Sequence, residues 1–228
     1  MPSQAFLAFV SAIDEIDALG AASRPSLSIN TASSLRIARA IGRGQIVLLS
    51  SHFERYIYAL NEELVAFINT QRIHGNRLAD TLRLQHSMEP IDNLALTGWE
   101  RRATQLTEFV SSDAWLWTVA NSGTIAHARL LTWMRTPTPR SLVRYFSLWG
   151  IPDIFTAITL KPTSRQAFWL SVQGLVDLRN NIAHGEYLAQ ATQADVKEYT
   201  KQITEFCKRT DRKVARVIVQ KFGIPAPW

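Results

Sequence analysis

Between Ile46 and Phe67 a single apolar stripe limits what the whole chain can become. Ile46, Leu49, Phe53, Ile57, Leu60, Leu64 and Phe67 follow one another at spacings of three, four, four, three, four and three. That near-heptad rhythm predicts one long helix of about 22 residues whose apolar side must be covered along its full length. Such a helix serves as the seam of a bundle or as a dimer face. Ser50, Glu54, Tyr58 and Asn61 run beside it as a polar strip.

The flanking segments repeat the same period. Phe6, Phe9 or Val10, Ile13, Ile16 and Leu19 mark a first helix over 3–19, which Gly20 ends, with a Ser/Pro loop over 21–30. Thr31 or Ser33 opens a second helix. Gly42-Arg43-Gly44 reads as a break, since each interior glycine costs a helix about 1 kcal/mol. Residues 70–100 read as loop-rich, 99–120 as helix again, and Thr136-Pro137-Thr138-Pro139 as a loop. Thr192-x-x-Asp195 is a capping box for a terminal helix. No alternating strand pattern occurs. The fold class is therefore all-α, a helical bundle with extra helices and long loops in the middle third. With 228 residues and an ordinary apolar content, one domain spans 1–228. It divides into a long-helix region at 31–72, a loop-rich aromatic insertion at 73–162, and a motif helix plus basic terminal helix at 163–222. The tryptophans of that insertion suit a core or a binding surface.

Phe168, Val172, Leu175, Leu178 and Ile182 predict a helix that carries the densest group of reactive side chains, Arg179, Asn180, Asn181 and His184. Thr163 or Ser164 would cap its start, and Gly185 would supply the left-handed residue that stops it. Asn180 and His184, four apart, share a face. Arg179 and His184, five apart, stand about 140° round the helix, so they flank a groove without meeting. A two-fold dimer that brings two copies together converges them better.

This Arg179-Asn180-x-x-x-His184 pattern near a helix end resembles the defining motif of the HEPN superfamily. The stretch Gln45 to Ile57 is similar to the first long helix of its RiboL-PSP-HEPN branch. The resemblance implies a metal-independent endoribonuclease acting as a homodimer, with no cofactor and no metal. It also implies service in bacterial toxin–antitoxin or anti-phage defence, with an antitoxin or defence-system protein as a further partner. By that resemblance His184 would move protons, Arg179 would stabilise charge and Asn180 would position. Glu54, on the polar strip of the long helix, and Asn181 are candidates to support them, with plain surface the alternative for Glu54.

The residue types suit that chemistry. Metal-free RNA cleavage needs a 2′-hydroxyl to attack phosphorus, a group that trades protons near neutrality, and fixed positive charge for the transition state. Histidine and arginine supply these. Two plainer uses compete: Arg179 paired with Asp177 or Glu186, and His184 as a cation at a helix C-terminus. The rival function is a non-catalytic interaction or RNA-binding module.

The net charge of +6 suits a polyanion. From Val196 to Lys221 eight basic residues face three acidic ones. Arg209, Arg212 and Arg216 are the candidates for RNA contact, against the simpler reading of a solvated helix face. A single cysteine, Cys207, excludes an internal disulfide and reads as a buried small hydrophobe. No phosphate-binding glycine loop, hydrolase elbow or paired zinc-type histidines occur. Acidic Asp14, Glu15 and Asp17 follow the first apolar run, and no stretch reaches membrane-spanning length, so a cytoplasmic location with no membrane contact is expected.

Overall fold

The computed structural model describes residues 1–28, 31–118, 122–186 and 188–228, and for 23–28 the backbone alone. In chain order the helices are α1 (Gln4–Ser28), α2 (Ala32–Thr70), α3 (Asp80–Leu96), α4 (Trp99–Asp113), α5 (His127–Leu131), α6 (Pro139–Leu148), α7 (Ile154–Ile158), α8 (Pro162–Ala183) and α9 (Gln193–Phe222). The expected all-α class holds, and among the described residues there is no strand.

The stripe from Ile46 to Leu64 is wholly buried and forms the spine of the core. α1, α8 and α9 pack around α2, and α5 closes its far end. Phe53, Phe155, Phe168 and Phe206 meet ring to ring where α2, α7, α8 and α9 converge. Cys207 is buried beside Phe206, and its backbone carbonyl accepts from Tyr56 Oη at 3.1 Å.

Five expectations are corrected. The first helix runs past Gly20 to Ser28, through most of the expected loop over 21–30; Ile29 and Asn30 lie outside the described residues. α2 runs unbroken through Gly42-Arg43-Gly44. Gly42 is a packing device: a Cβ there would meet the Ala191 carbonyl oxygen at 2.5 Å, so only glycine lets the α8–α9 connection lie on α2. Residues 80–96 are helical where a loop-rich stretch was expected, and this helix, α3, packs on the expected helix α4. Of the helix expected over 99–120, residues 119 and 120 lie outside the described residues, and 114–117 form a tighter turn. Finally, α8 starts two to three residues earlier than Thr163 or Ser164 suggest, with Lys161 at its cap, because Pro162 occupies its first position with its fixed φ.

Buried amides fasten the middle third to α2. Asn61 donates to the His127 carbonyl at 2.9 Å and accepts from Tyr145 Oη at 3.3 Å. Asn69 makes a two-way pair with the Ile125 backbone, 3.0 and 2.8 Å. Tyr58 Oη donates to the Met134 carbonyl at 2.7 Å.

Candidate active site at the end of α8

α8 ends in a two-bond turn. The Gly185 N–H donates to the Ile182 carbonyl at 3.1 Å and the Glu186 N–H to the Asn181 carbonyl at 3.0 Å, with Gly185 at φ +78°. This is the left-handed stop that the sequence requires. It leaves His184 at the C-cap, exposed to solvent.

Arg179 continues the buried row Phe168, Val172, Leu175 at the spacing of a helix face, so its side chain leaves the core half-buried. One guanidinium nitrogen donates to Asn180 Oδ1 at 3.1 Å. Among the described residues no carboxylate oxygen lies within 4.0 Å of it, and Asp177 instead accepts from Gln173 at 2.8 Å. The Arg179 charge is thus not consumed by an ion pair with Asp177 or Glu186.

Glu54 on α2 stands opposite. Partial burial pushes its carboxyl above the usual range, and the nearby Arg179 charge pulls it back part of the way. Tyr58, one turn on, has its phenol raised by burial first and by the Glu54 charge second. Glu54 on α2 is thus within electrostatic reach of Arg179 on α8, though not paired with it. Asn181 is exposed and contributes its carbonyl to the helix stop, and His184 lies on the solvent side of the same helix end.

Arg209, Arg212 and Arg216 line a cavity of about 300 Å³ with Lys213, Glu205, Ala157 and Ile158. Arg209 pairs with Glu205 at 2.7 Å and lies 5.4 Å from the Phe168 ring centre. Phe168 is eleven residues before Arg179, so the Arg209 edge of this cavity lies about 16 Å along α8 from the motif and its other cations lie further away. α8 and α9 run antiparallel, with the Tyr199 hydroxyl against Gly174 near one end and Phe206 on Phe168 near the other.

Two features escape a reading of the sequence. Lys213 joins the basic cavity, and its position four residues after Arg209 is the signal for it. The other is a buried knot in the middle third. His86 Nδ1 lies 2.9 Å from Asp113 Oδ1, and Arg129 donates to both Asp113 oxygens at 2.9 and 3.1 Å. His86 Nε2 accepts the Ala126 N–H at 2.9 Å, so this histidine ties α3 to the residue before α5 while its Nδ1 faces Asp113 at the end of α4.

Comparison with known proteins returns no matching family model, curated protein or solved structure. Among the described residues no helix is long and apolar enough to cross a membrane.

Proposed function

We propose that the chain is a HEPN-like, metal-independent endoribonuclease that acts as a homodimer through the ends of two α8 helices. The observation that carries the proposal is Arg179 itself. It is half-buried, held by Asn180, free of any ion pair among the described residues, and set at the same helix end as an exposed histidine. A guanidinium that no carboxylate neutralises keeps its charge for phosphate. His184 takes the proton of the attacking 2′-hydroxyl or returns one to the leaving 5′-oxygen, giving 2′,3′-cyclic phosphate and 5′-hydroxyl ends. Arg179 stabilises the crowded phosphorus, Asn180 fixes its fork, and Glu54 sets the field behind it. Arg179 and His184 diverge by about 140° within one helix, so the partner's copy completes the constellation. The setting in toxin–antitoxin or defence systems, with a protein partner there, rests on the family resemblance alone.

The test is cleavage of a mixed RNA in EDTA by wild type and by His184→Ala. Loss of a general acid–base group lowers the rate by about 10²–10⁴-fold. Equal background from the two folded proteins would refute the enzyme.

One observation favours a second reading, an interaction module. α4 turns Trp99 (80% exposed), Leu106 and Val110 outward beside Leu96 (85% exposed), and a groove of about 540 Å³ runs between Leu94 and α4. Exposed apolar area of this kind marks a docking surface. On that reading wild type leaves RNA uncut, and Trp99→Ser removes an association without unfolding the core.

A further inference from the structure

We infer that the cavity between α7 and α9 is a phosphodiester-binding site that grips an RNA strand several nucleotides from the cut. The inference rests on the ribonuclease reading for the choice of RNA, while the groove's affinity for a phosphate backbone rests on the cavity alone.

The cavity is electrostatically unbalanced. Arg209, Arg212, Lys213 and Arg216 sit at i, i+3, i+4 and i+7, one face of α9, where neighbouring like charges repel. The single acid in the cavity, Glu205, is taken by Arg209. No carboxylate lies within 4.0 Å of Arg212, Lys213 or Arg216 among the described residues. The opposite wall, Ala157 and Ile158 of α7, brings no charge of either sign. A solvated basic face usually interleaves acids or spreads its cations; here three unpaired cations converge on a concave space of about 300 Å³. An anion with several oxygens relieves the repulsion. A concave slot with one apolar wall suits a sugar–phosphate strand, whereas a flat bilayer surface cannot reach into it.

Position supplies the second half of the inference. Arg209 marks the level of Phe168 on α8, and Arg179 and His184 stand eleven and sixteen residues further on. The unpaired Arg212, Lys213 and Arg216 lie three to seven residues beyond Arg209 on the antiparallel α9, further from the motif, so at 1.5 Å per residue the span is about 21–35 Å. A stacked strand rising about 3.4 Å per nucleotide covers it in roughly six to ten nucleotides. The groove therefore sets a minimum length: short oligonucleotides reach the motif alone, and longer ones gain the groove.

The experiment compares His184→Ala, which reports binding without cutting, with the same protein carrying Arg212→Gln, Lys213→Gln and Arg216→Gln. Binding of fluorescent oligoribonucleotides of 4, 8, 12 and 16 nucleotides is followed by anisotropy across a salt series. The inference expects affinity to rise between 4 and 12 nucleotides for the first protein and to stay flat for the second. With about three phosphates neutralised, the salt slope for the long strands falls by about 2 on substitution. Relief of crowding leaves the substituted protein, without RNA, at least as resistant to heat. Equal affinity and equal slope in the two proteins would overturn the inference, as would a lower melting temperature of the substituted protein. Capture by anionic vesicles without oligonucleotide binding would overturn it too. Should wild type and His184→Ala show equal cleavage, the nuclease reading fails, and the binding series still decides the groove.

Discussion

Asp113 is 1% exposed at the end of α4, and its carboxylate holds the middle third together. Asp113→Ala removes the acceptor of Ser112 Oγ at 2.7 Å and of Arg129, and the group facing His86 Nδ1. His86 is 2% exposed, and its Nε2 already accepts from a backbone amide, so its proton resides on Nδ1. Nδ1 lies 2.9 Å from Asp113 but off the hydrogen-bond line, and the substitution takes away the carboxylate facing this buried donor. An unpaired buried donor costs about 1–3 kcal/mol. Arg129 has 29% of its side chain exposed, so water takes over part of its loss, which adds about 1 kcal/mol. The expected destabilisation is about 2–4 kcal/mol. In a chain of this size that lowers Tm by about 5–15 °C, measured by urea and thermal unfolding at pH 7.5. The wild type carries its own signature. Burial is the largest influence on His86 and lowers its pKa below the ordinary value of 6.5, against the Asp113 charge. The unfolded chain then binds the proton more readily, so stability is fully present above about pH 6.5 and falls as pH drops below it. Removing Asp113 removes an upward influence, so in the variant that fall continues to lower pH. A loss under about 1 kcal/mol, or an acid limb identical in the two proteins, would refute this account of the knot.

Gly42→Ala drives a methyl onto the Ala191 carbonyl oxygen and costs about 1–3 kcal/mol by chemical denaturation; an unchanged midpoint would show that the α8–α9 connection yields freely. Gly185→Ala forces an L-residue to φ +78° with open space around its Cβ, so about 1 kcal/mol is lost through backbone strain alone. Thr192→Ala removes the α9 capping box and costs about 0.5–2 kcal/mol. Arg179→Lys keeps the charge and loses the fork, so on the proposed function RNA cleavage falls at least tenfold with stability unchanged; full activity would show that the fork is not used.

The long apolar stripes made α2, α8 and α9 legible, because helices that supply most of the core advertise it by period. The same logic hid α3. Its buried side is mostly polar, Gln85, His86 and Ser87 with only Leu82 apolar among them, while Leu84, Met88 and Ile91 face solvent, so apolarity points the wrong way. Gly42 was misleading for a related reason: a glycine chosen for close approach has the same letter as one chosen for a break. At the site, the sequence placed Arg179, Asn180 and His184 on one helix end and put Glu54 on a polar strip, and the fold brings Glu54 to Arg179. That the basic residues of α9 gather about 16–27 Å from Arg179 follows only from the antiparallel packing of α8 on α9.

The central claim is attack by a 2′-hydroxyl without a metal. It is tested most directly by mapping one cut site in EDTA, then replacing the single nucleotide 5′ of that cut by its 2′-deoxy form. The account predicts that cutting at that position stops, neighbouring cuts persist, and the original products end in 2′,3′-cyclic phosphate and 5′-hydroxyl. Continued cutting at the deoxy position, or 5′-phosphate ends, would contradict it.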